Sequence, residues 1–146
     1  MDKYLDILEN LLLLEDEYEW LDFKENWFNK DEIGEYISAV ANGACLCGKE
    51  YGYIIWGVKD NSRDIVGTSI NFDKDINHEP YKHYLARNLK PSTALRLLKK
   101  NIKVSVLLCF KFRHQNQFKP NTKMFLILEL DLVRKKSINF QNGNSS

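Results

Sequence analysis

An eight-residue run without a charged side chain constrains the fold of this chain more than any other segment. The run extends from Tyr51 to Val58 and is rich in aromatic and β-branched residues. This composition is typical of a central β-strand that is buried on both faces. The polar segment 59–64 and the short apolar run 65–67 follow it. The sequence therefore predicts a hairpin whose first strand lies inside a sheet.

Three other segments have the spacing of amphipathic helices. Residues 3–14 carry leucines at helical intervals, and Asn29 is suited to cap a second helix that we expect to end at Gly43. A third helix is predicted over 78–90, with Pro80 in its first turn and Pro91 after its end. Further strands are expected at 19–24, 103–113, 124–133 and 137–140. The prediction is a single α+β domain over residues 1–140, with a mixed β-sheet and about three helices, followed by a polar tail over 141–146.

The sequence argues against several other classes of protein. No apolar run approaches the roughly 18 residues of a membrane-spanning helix, and the acidic N-terminus is unlike a signal peptide. The cysteines at 45, 47 and 109 lack the spacing of zinc sites and redox motifs. We therefore expect a cytoplasmic protein with reduced thiols and no membrane partner. The glycines match no nucleotide-binding fingerprint, so we predict no ATP site.

The net charge of +1 conceals a strong division of charge along the chain. Residues 1–35 carry 12 acids and 3 bases, whereas the segment from Pro80 to Leu128 carries 11 bases and no acid. A division of this kind indicates a polyanion such as nucleic acid as the partner. Aromatic residues are interleaved with the bases, and such rings can stack on unpaired nucleobases. We predict phosphate contacts at a turn and on the face of the strand that follows it, at Lys99, Lys100, Lys103, Lys111 and Arg113.

The charge pattern leaves alternatives open. A total charge near zero is unusual for an independent nucleic-acid-binding protein, and it is compatible with a protein-interaction module. The acidic first segment can also pack against the basic half, or face it in a homodimer, and so weaken the field that attracts nucleic acid. Our expectation is weak to moderate binding of DNA or RNA, with affinity that falls steeply as salt rises.

Four segments in order resemble the Schlafen-type AlbA-like domain. They are EYEWLDFK at 17–24, EIGEYISAVAN at 32–42, YIIWGVKD at 53–60 and IVGT at 65–68. The resemblance implies an α+β domain that binds nucleic acid with weak sequence specificity, such as the N-terminal module of a transcriptional regulator. Members of the family often continue into ATPase-like or winged-helix regions.

The resemblance also implies an alternative function. In vertebrate Schlafen proteins this domain type can be an RNA endonuclease with three carboxylates, which the resemblance places at Glu17, Asp22 and Asp60. Such a set would hold Mg²⁺ or Mn²⁺, which polarises the phosphate and activates water. Lys24 and Lys59 are near these acids in sequence and are expected to contact phosphate. Glu17 and Asp22 are five residues apart, so in a regular strand they would face opposite sides, and we expect binding rather than cleavage.

Overall fold

The uncharged run of the sequence forms an interior strand of a four-stranded mixed sheet. The computed structural model of the protein describes residues 3–14, 16, 18–90, 94–103, 122–131 and 139–140. Its helices are α1 (Lys3–Leu12), α2 (Lys30–Leu46) and α3 (Tyr81–Asn88), and its strands are β1 (Leu21–Lys24), β2 (Tyr51–Trp56), β3 (Asp75–Ile76), β4 (Glu79–Pro80), β5 (Leu89–Lys90), β6 (Ala94–Lys103), β7 (Thr122–Asp131) and β8 (Asn139–Phe140). The predicted α+β class with a mixed sheet is confirmed. No helix in these described ranges is long and apolar enough to cross a membrane.

The main sheet has the order β1-β2-β7-β6, with β1 parallel to β2 and the other pairs antiparallel. Tyr53 of β2 lies opposite Leu21 of β1 and Glu129 of β7. The two residues of β3 pair with β4, and those of β5 pair with β8. The hairpin predicted after β2 is reduced to a single bridge between Val58 and Ile65. The sheet therefore places β1, the strand of the first resembling segment, at one edge.

Helices cover both faces of the sheet. Successive side chains of β2 point to opposite faces, so they pack against different helices. Ile54 and Trp56 pack with α2 and α3, whereas Ile55 packs with α1 on the other face. Leu8 of α1 and Ile33 of α2 are fully buried in these two cores. The central position predicted for the uncharged run is confirmed, and its burial on both faces follows from the two layers of helices.

Helix α2 begins where the sequence predicts and ends later. The side chain of Asn29 accepts hydrogen bonds from the backbone N–H groups of Asp31 and Glu32, at 3.1 and 3.0 Å, so the predicted N-cap is confirmed. The prediction that Gly43 ends the helix is wrong, because α2 continues to Leu46. Gly43 is buried inside the helix, where the backbone of Glu19 approaches it closely.

The second half departs from prediction in two places. Helix α3 covers 81–88 rather than 78–90, because Pro80 pairs with Asp75 before it and Leu89 pairs with Phe140 after it. A strand, β6, spans Ala94 to Lys103, where we expected a turn. The predicted strand 103–113 lies outside the described residues except at its first residue. The predicted strands near 124–133 and 137–140 correspond to β7 and β8 as far as these are described.

Candidate functional site

Asp22 and Asp60 line the same pocket, although they are 38 positions apart in the chain. The pocket has a volume of about 250 Å³ and lies between β1, the turn 59–64 and helix α2. We call it the carboxylate pocket, and its polar lining is Asp16, Tyr18, Glu19, Asp22, Tyr36, Asp60 and Arg63. Two of the three acids that the resemblance implies therefore line one pocket. The third, Glu17, lies outside the described residues.

Asp22 is held in the pocket by β1, between two residues that point into the α1 core. Its Oδ2 atom lies 3.2 Å from Nζ of Lys24, and the side chains of both residues are about one fifth exposed. Burial raises the pKa of Asp22, the ion pair with Lys24 opposes this shift, and the neighbouring charge of Asp60 adds to it. The net effect is that Asp22 holds its proton to a higher pH than an exposed aspartate does.

Lys24 is occupied by contacts within the protein. Besides its ion pair with Asp22, its ammonium group lies 3.9 Å from the centroid of the Tyr36 ring and 5.0 Å from that of Trp27. Such cation–π contacts are favourable when the cation is partly removed from water. To contact phosphate, as predicted, Lys24 would have to give up these contacts within the protein. Lys59, by contrast, is exposed at the start of the turn.

Arg63 is a component of the pocket that sequence reasoning missed. Its guanidinium group contacts the backbone carbonyl of Asp60, lies 3.4 Å from Oδ1 of that residue and 3.5 Å from the carbonyl of Asp16, and sits 4.3 Å from the centroid of the Phe23 ring. The Arg63 backbone has a φ of 62°, which non-glycine residues adopt rarely. These contacts join the turn 59–64 to the segment before β1. The sequence signal that could have identified Arg63 is its position three residues after Asp60 in the same turn.

The described carboxylates do not fit a divalent cation as they stand. No group of three or more histidine, cysteine, aspartate or glutamate side chains in the described ranges could hold a metal ion. Asp22 is paired with Lys24, and Asp60 is paired with Arg63. A metal ion would have to displace both cations. That Glu17 belongs with Asp22 and Asp60 stays a prediction from the resemblance.

Several bases of the acid-free segment 80–128 pair with acids that lie outside that segment. Lys99 pairs with Asn71 and Asp73, at 2.9 and 3.2 Å, and is therefore engaged within the protein. Three further bases of the segment also pair with acids from elsewhere in the chain: Lys82 with Asp73, Arg87 with Glu79 and Arg96 with the buried Glu129. Acids outside the segment thus neutralise bases that look unpaired within it.

The remaining predicted phosphate contacts are described only in part. Lys99, Lys100 and Lys103 all lie in β6, so the prediction that Lys99 and Lys100 lie at a turn is wrong. The side chains of Lys100 and Lys103 are outside the described part. Lys111 and Arg113 lie outside the described residues altogether. These four positions stay predictions.

The raised pKa of Asp22 predicts how an amide in its place changes stability with pH. A raised pKa means that the folded protein holds the Asp22 proton at a pH where the unfolded chain has lost it. This contribution to stability is present below the unfolded pKa and is lost as pH rises through the folded pKa. We therefore expect Asp22→Asn to raise the thermal unfolding midpoint at pH 7. This advantage should shrink as pH falls through the raised pKa of the folded state, and it should be lost below pH about 4, the ordinary range of an aspartate. A lower midpoint than wild type at pH 7 would show that the Lys24 ion pair outweighs burial.

Comparison with known proteins gives one finding that bears on this site. The model of a family described as Schlafen, AlbA_2 matches residues 17–139. The matched range includes all four strands of the main sheet, helices α2 and α3, and both Asp22 and Asp60. No curated protein matches the chain.

Proposed function

The chain belongs to the Schlafen AlbA_2 family, and we propose that it binds nucleic acid, DNA or RNA, through phosphate contacts with little dependence on sequence. The observation that carries this proposal is the family match, which spans the whole main sheet. Within a longer transcriptional regulator, such a domain would supply affinity for the backbone while other regions supply the choice of sequence.

The distribution of bases supports the same proposal. The 18 residues between Lys103 and Thr122, which connect β6 to β7, include Lys111, Arg113 and Lys119 and no acid. The bases that are paired within the protein are not lost to a ligand, because exposed ion pairs contribute only about 0–1 kcal/mol and can be exchanged for contacts with phosphate. Lys82 and Lys99, which share Asp73, are bases of this kind, with side chains about half exposed.

A fluorescence anisotropy titration tests the proposal. Labelled single-stranded RNA, single-stranded DNA and duplex DNA, each in two unrelated sequences, are titrated with the protein between about 50 and 300 mM salt. We expect log affinity to fall linearly with log salt, by about 0.7–0.9 for each phosphate contacted, and to differ little between sequences. Absence of binding at the lowest salt, or affinity that does not depend on salt, would contradict the proposal.

A second candidate, metal-dependent RNA cleavage, is favoured by the meeting of Asp22 and Asp60 in one pocket. The pairing of both acids with internal cations opposes it. The same RNA, incubated with the protein and Mg²⁺ or Mn²⁺, separates the two functions. We expect the RNA to stay intact. Cleavage by the wild type that Asp60→Ala abolishes, without loss of binding, would instead establish the nuclease.

A further inference from the structure

A second polar pocket lies beside the end of β1, where Glu25 and Asn26 line it. It has a volume of about 490 Å³, and its polar lining comprises Asn26, Thr68, Ser69, Lys123 and the exposed Glu25. Asn26 follows β1 by two residues, Thr68 follows the bridge at Ile65, and Lys123 is the second residue of β7. A hydrogen bond of 2.9 Å from the Thr68 N–H to the Met124 carbonyl fixes the second segment against the third. We call this the Asn26 pocket.

The hydrogen bonds of Asn26 determine which of its groups is available to a ligand. Its Oδ1 atom accepts from the Thr68 hydroxyl at 2.8 Å, from the Ser69 backbone N–H at 2.9 Å and from the Ser69 hydroxyl at 3.2 Å. The backbone N–H can only donate, so it fixes the oxygen, and not the nitrogen, on that side of the amide. The Nδ2 group, with two donors, is then the part of the amide that a ligand could use, and its chemistry suits an anionic oxygen.

Lys123 brings a positive charge to this pocket. Its stem lies across Gly67, where φ is 76° and an added Cβ would lie 3.2 Å from Cβ and Cδ of Lys123. Among the described side chains, Lys123 forms no ion pair, in contrast to Lys82, Lys99, Arg87 and Arg96 of the same acid-free segment. Glu25 lines the pocket too, but it does not reach ion-pair distance of Lys123 within the described part of the chain.

We propose that the Asn26 pocket binds a phosphodiester group of the nucleic-acid backbone, with the Lys123 ammonium and the Asn26 Nδ2 group as its donors. The inference rests on the proposed function and deepens it by naming where one phosphate is held. Two features carry it: a half-buried lysine without an ion pair in the described structure, and an amide whose orientation is fixed by three accepted hydrogen bonds. The register supports the location, because Lys123 is next to Thr122, which pairs with Lys103 at the start of the basic connection 104–121.

The experiment compares the salt dependence of two lysine variants. Lys123→Gln removes the charge from the pocket, and Lys74→Gln removes the same charge from an exposed residue that does not line it. The oligonucleotides carry no terminal phosphate, so that binding reports the phosphodiester. We expect Lys123→Gln to reduce the magnitude of the salt slope by about 0.7–0.9 and to weaken binding about five- to eightfold at 0.1 M salt, relative to wild type. Lys74→Gln should leave the slope unchanged.

A third variant tests the amide. Asn26→Asp keeps the oxygen that accepts from Thr68 and Ser69 but replaces the Nδ2 donors with a negatively charged oxygen. We expect it to weaken binding at least as much as Lys123→Gln while its thermal midpoint stays near that of the wild type. If the wild type binds but Lys123→Gln retains the full salt slope, the inference fails and the proposed function survives. If the wild type binds no oligonucleotide, both are overturned.

Discussion

Trp56→Ala should destabilise the protein by about 3–5 kcal/mol, the range for removal of a buried tryptophan, out of a total stability of about 5–15 kcal/mol for a domain of ordinary size. Trp56 is 1% exposed, and its ring meets that of Phe72 edge to face at a centroid distance of 5.1 Å. Its indole N–H also donates to the carbonyl of Trp27 at 3.0 Å. The substitution removes a large apolar surface and leaves that carbonyl without its donor.

The effect should extend to the carboxylate pocket because of where Trp56 lies. It is the last residue of β2, opposite Lys24 of β1 and Leu126 of β7. Gly57 and Val58, which follow, both donate from the backbone to the Lys24 carbonyl and lead directly into the turn that carries Asp60. A cavity at Trp56 therefore loosens the join between β1 and that turn.

Urea denaturation followed by circular dichroism measures the change in the free energy of unfolding. Trp56→Phe is the matched control, because it keeps an aromatic ring against Phe72 and removes only the indole N–H and part of the volume. We expect that control to cost about 1–3 kcal/mol, which combines a lost hydrogen bond with a smaller cavity. A Trp56→Ala variant within about 1 kcal/mol of the wild type would contradict the close packing of Trp56 against Phe72.

Local signals explain why α1, the start of α2 and the strand β2 were predictable. Asn29 accepts the two N–H groups that a helix N-cap must satisfy, and this requires no information from distant parts of the chain. The absence of charged residues in the β2 run indicates, from the sequence alone, that both faces of this strand are covered. The spacing of the leucines in α1 likewise reports one buried face, since Leu8, Leu11 and Leu12 all pack into the core.

The second half depended on pairing that the sequence does not display. Strand β6 shows no clean alternation, and it forms because its ten residues pair with all of β7, from Ala94 opposite Asp131 to Lys103 opposite Thr122. Helix α3 is shorter than its pattern because Leu89 and Lys90 pair with β8, some 50 residues away. Propensity yields to tertiary pairing in such cases.

The candidate site shows the same division between local and distant information. The resemblance singled out Asp22 and Asp60 as candidates, but it could not show that they pair with Lys24 and Arg63, because that depends on rotamers and on the path of the turn. The charge pattern identified a basic segment, but the acids that pair with it come from Asp73, Glu79 and Glu129. Lys123 was one base among 11 in that segment, and only the fold singles it out.

Gly43→Ala should destabilise the protein although the same substitution stabilises most helices. Alanine in a helix interior is favoured over glycine by about 1 kcal/mol. At Gly43, however, an added Cβ would lie 2.4 Å from the backbone oxygen of Glu19 and 2.6 Å from its Cβ. Trp20, the next residue, accepts a hydrogen bond of 2.9 Å from the Tyr53 N–H, so this segment cannot retreat without disturbing its bond to β2. We expect a net cost of about 1–3 kcal/mol, as for other overpacked positions.

Gly34→Ala in the same helix is the control that separates backbone from side-chain obstruction. The three atoms nearest to a Cβ at Gly34 all belong to the ring of Phe140, a residue of a two-residue strand, and none of them is a backbone atom. It should therefore cost less than Gly43→Ala in urea denaturation. Because Glu19 and Asp22 line the carboxylate pocket, displacement of 18–20 should also change the environment of Asp22. A Gly43→Ala variant more stable than the wild type would mean that α2 and this segment are less closely packed than described, and that the pocket does not depend on their contact.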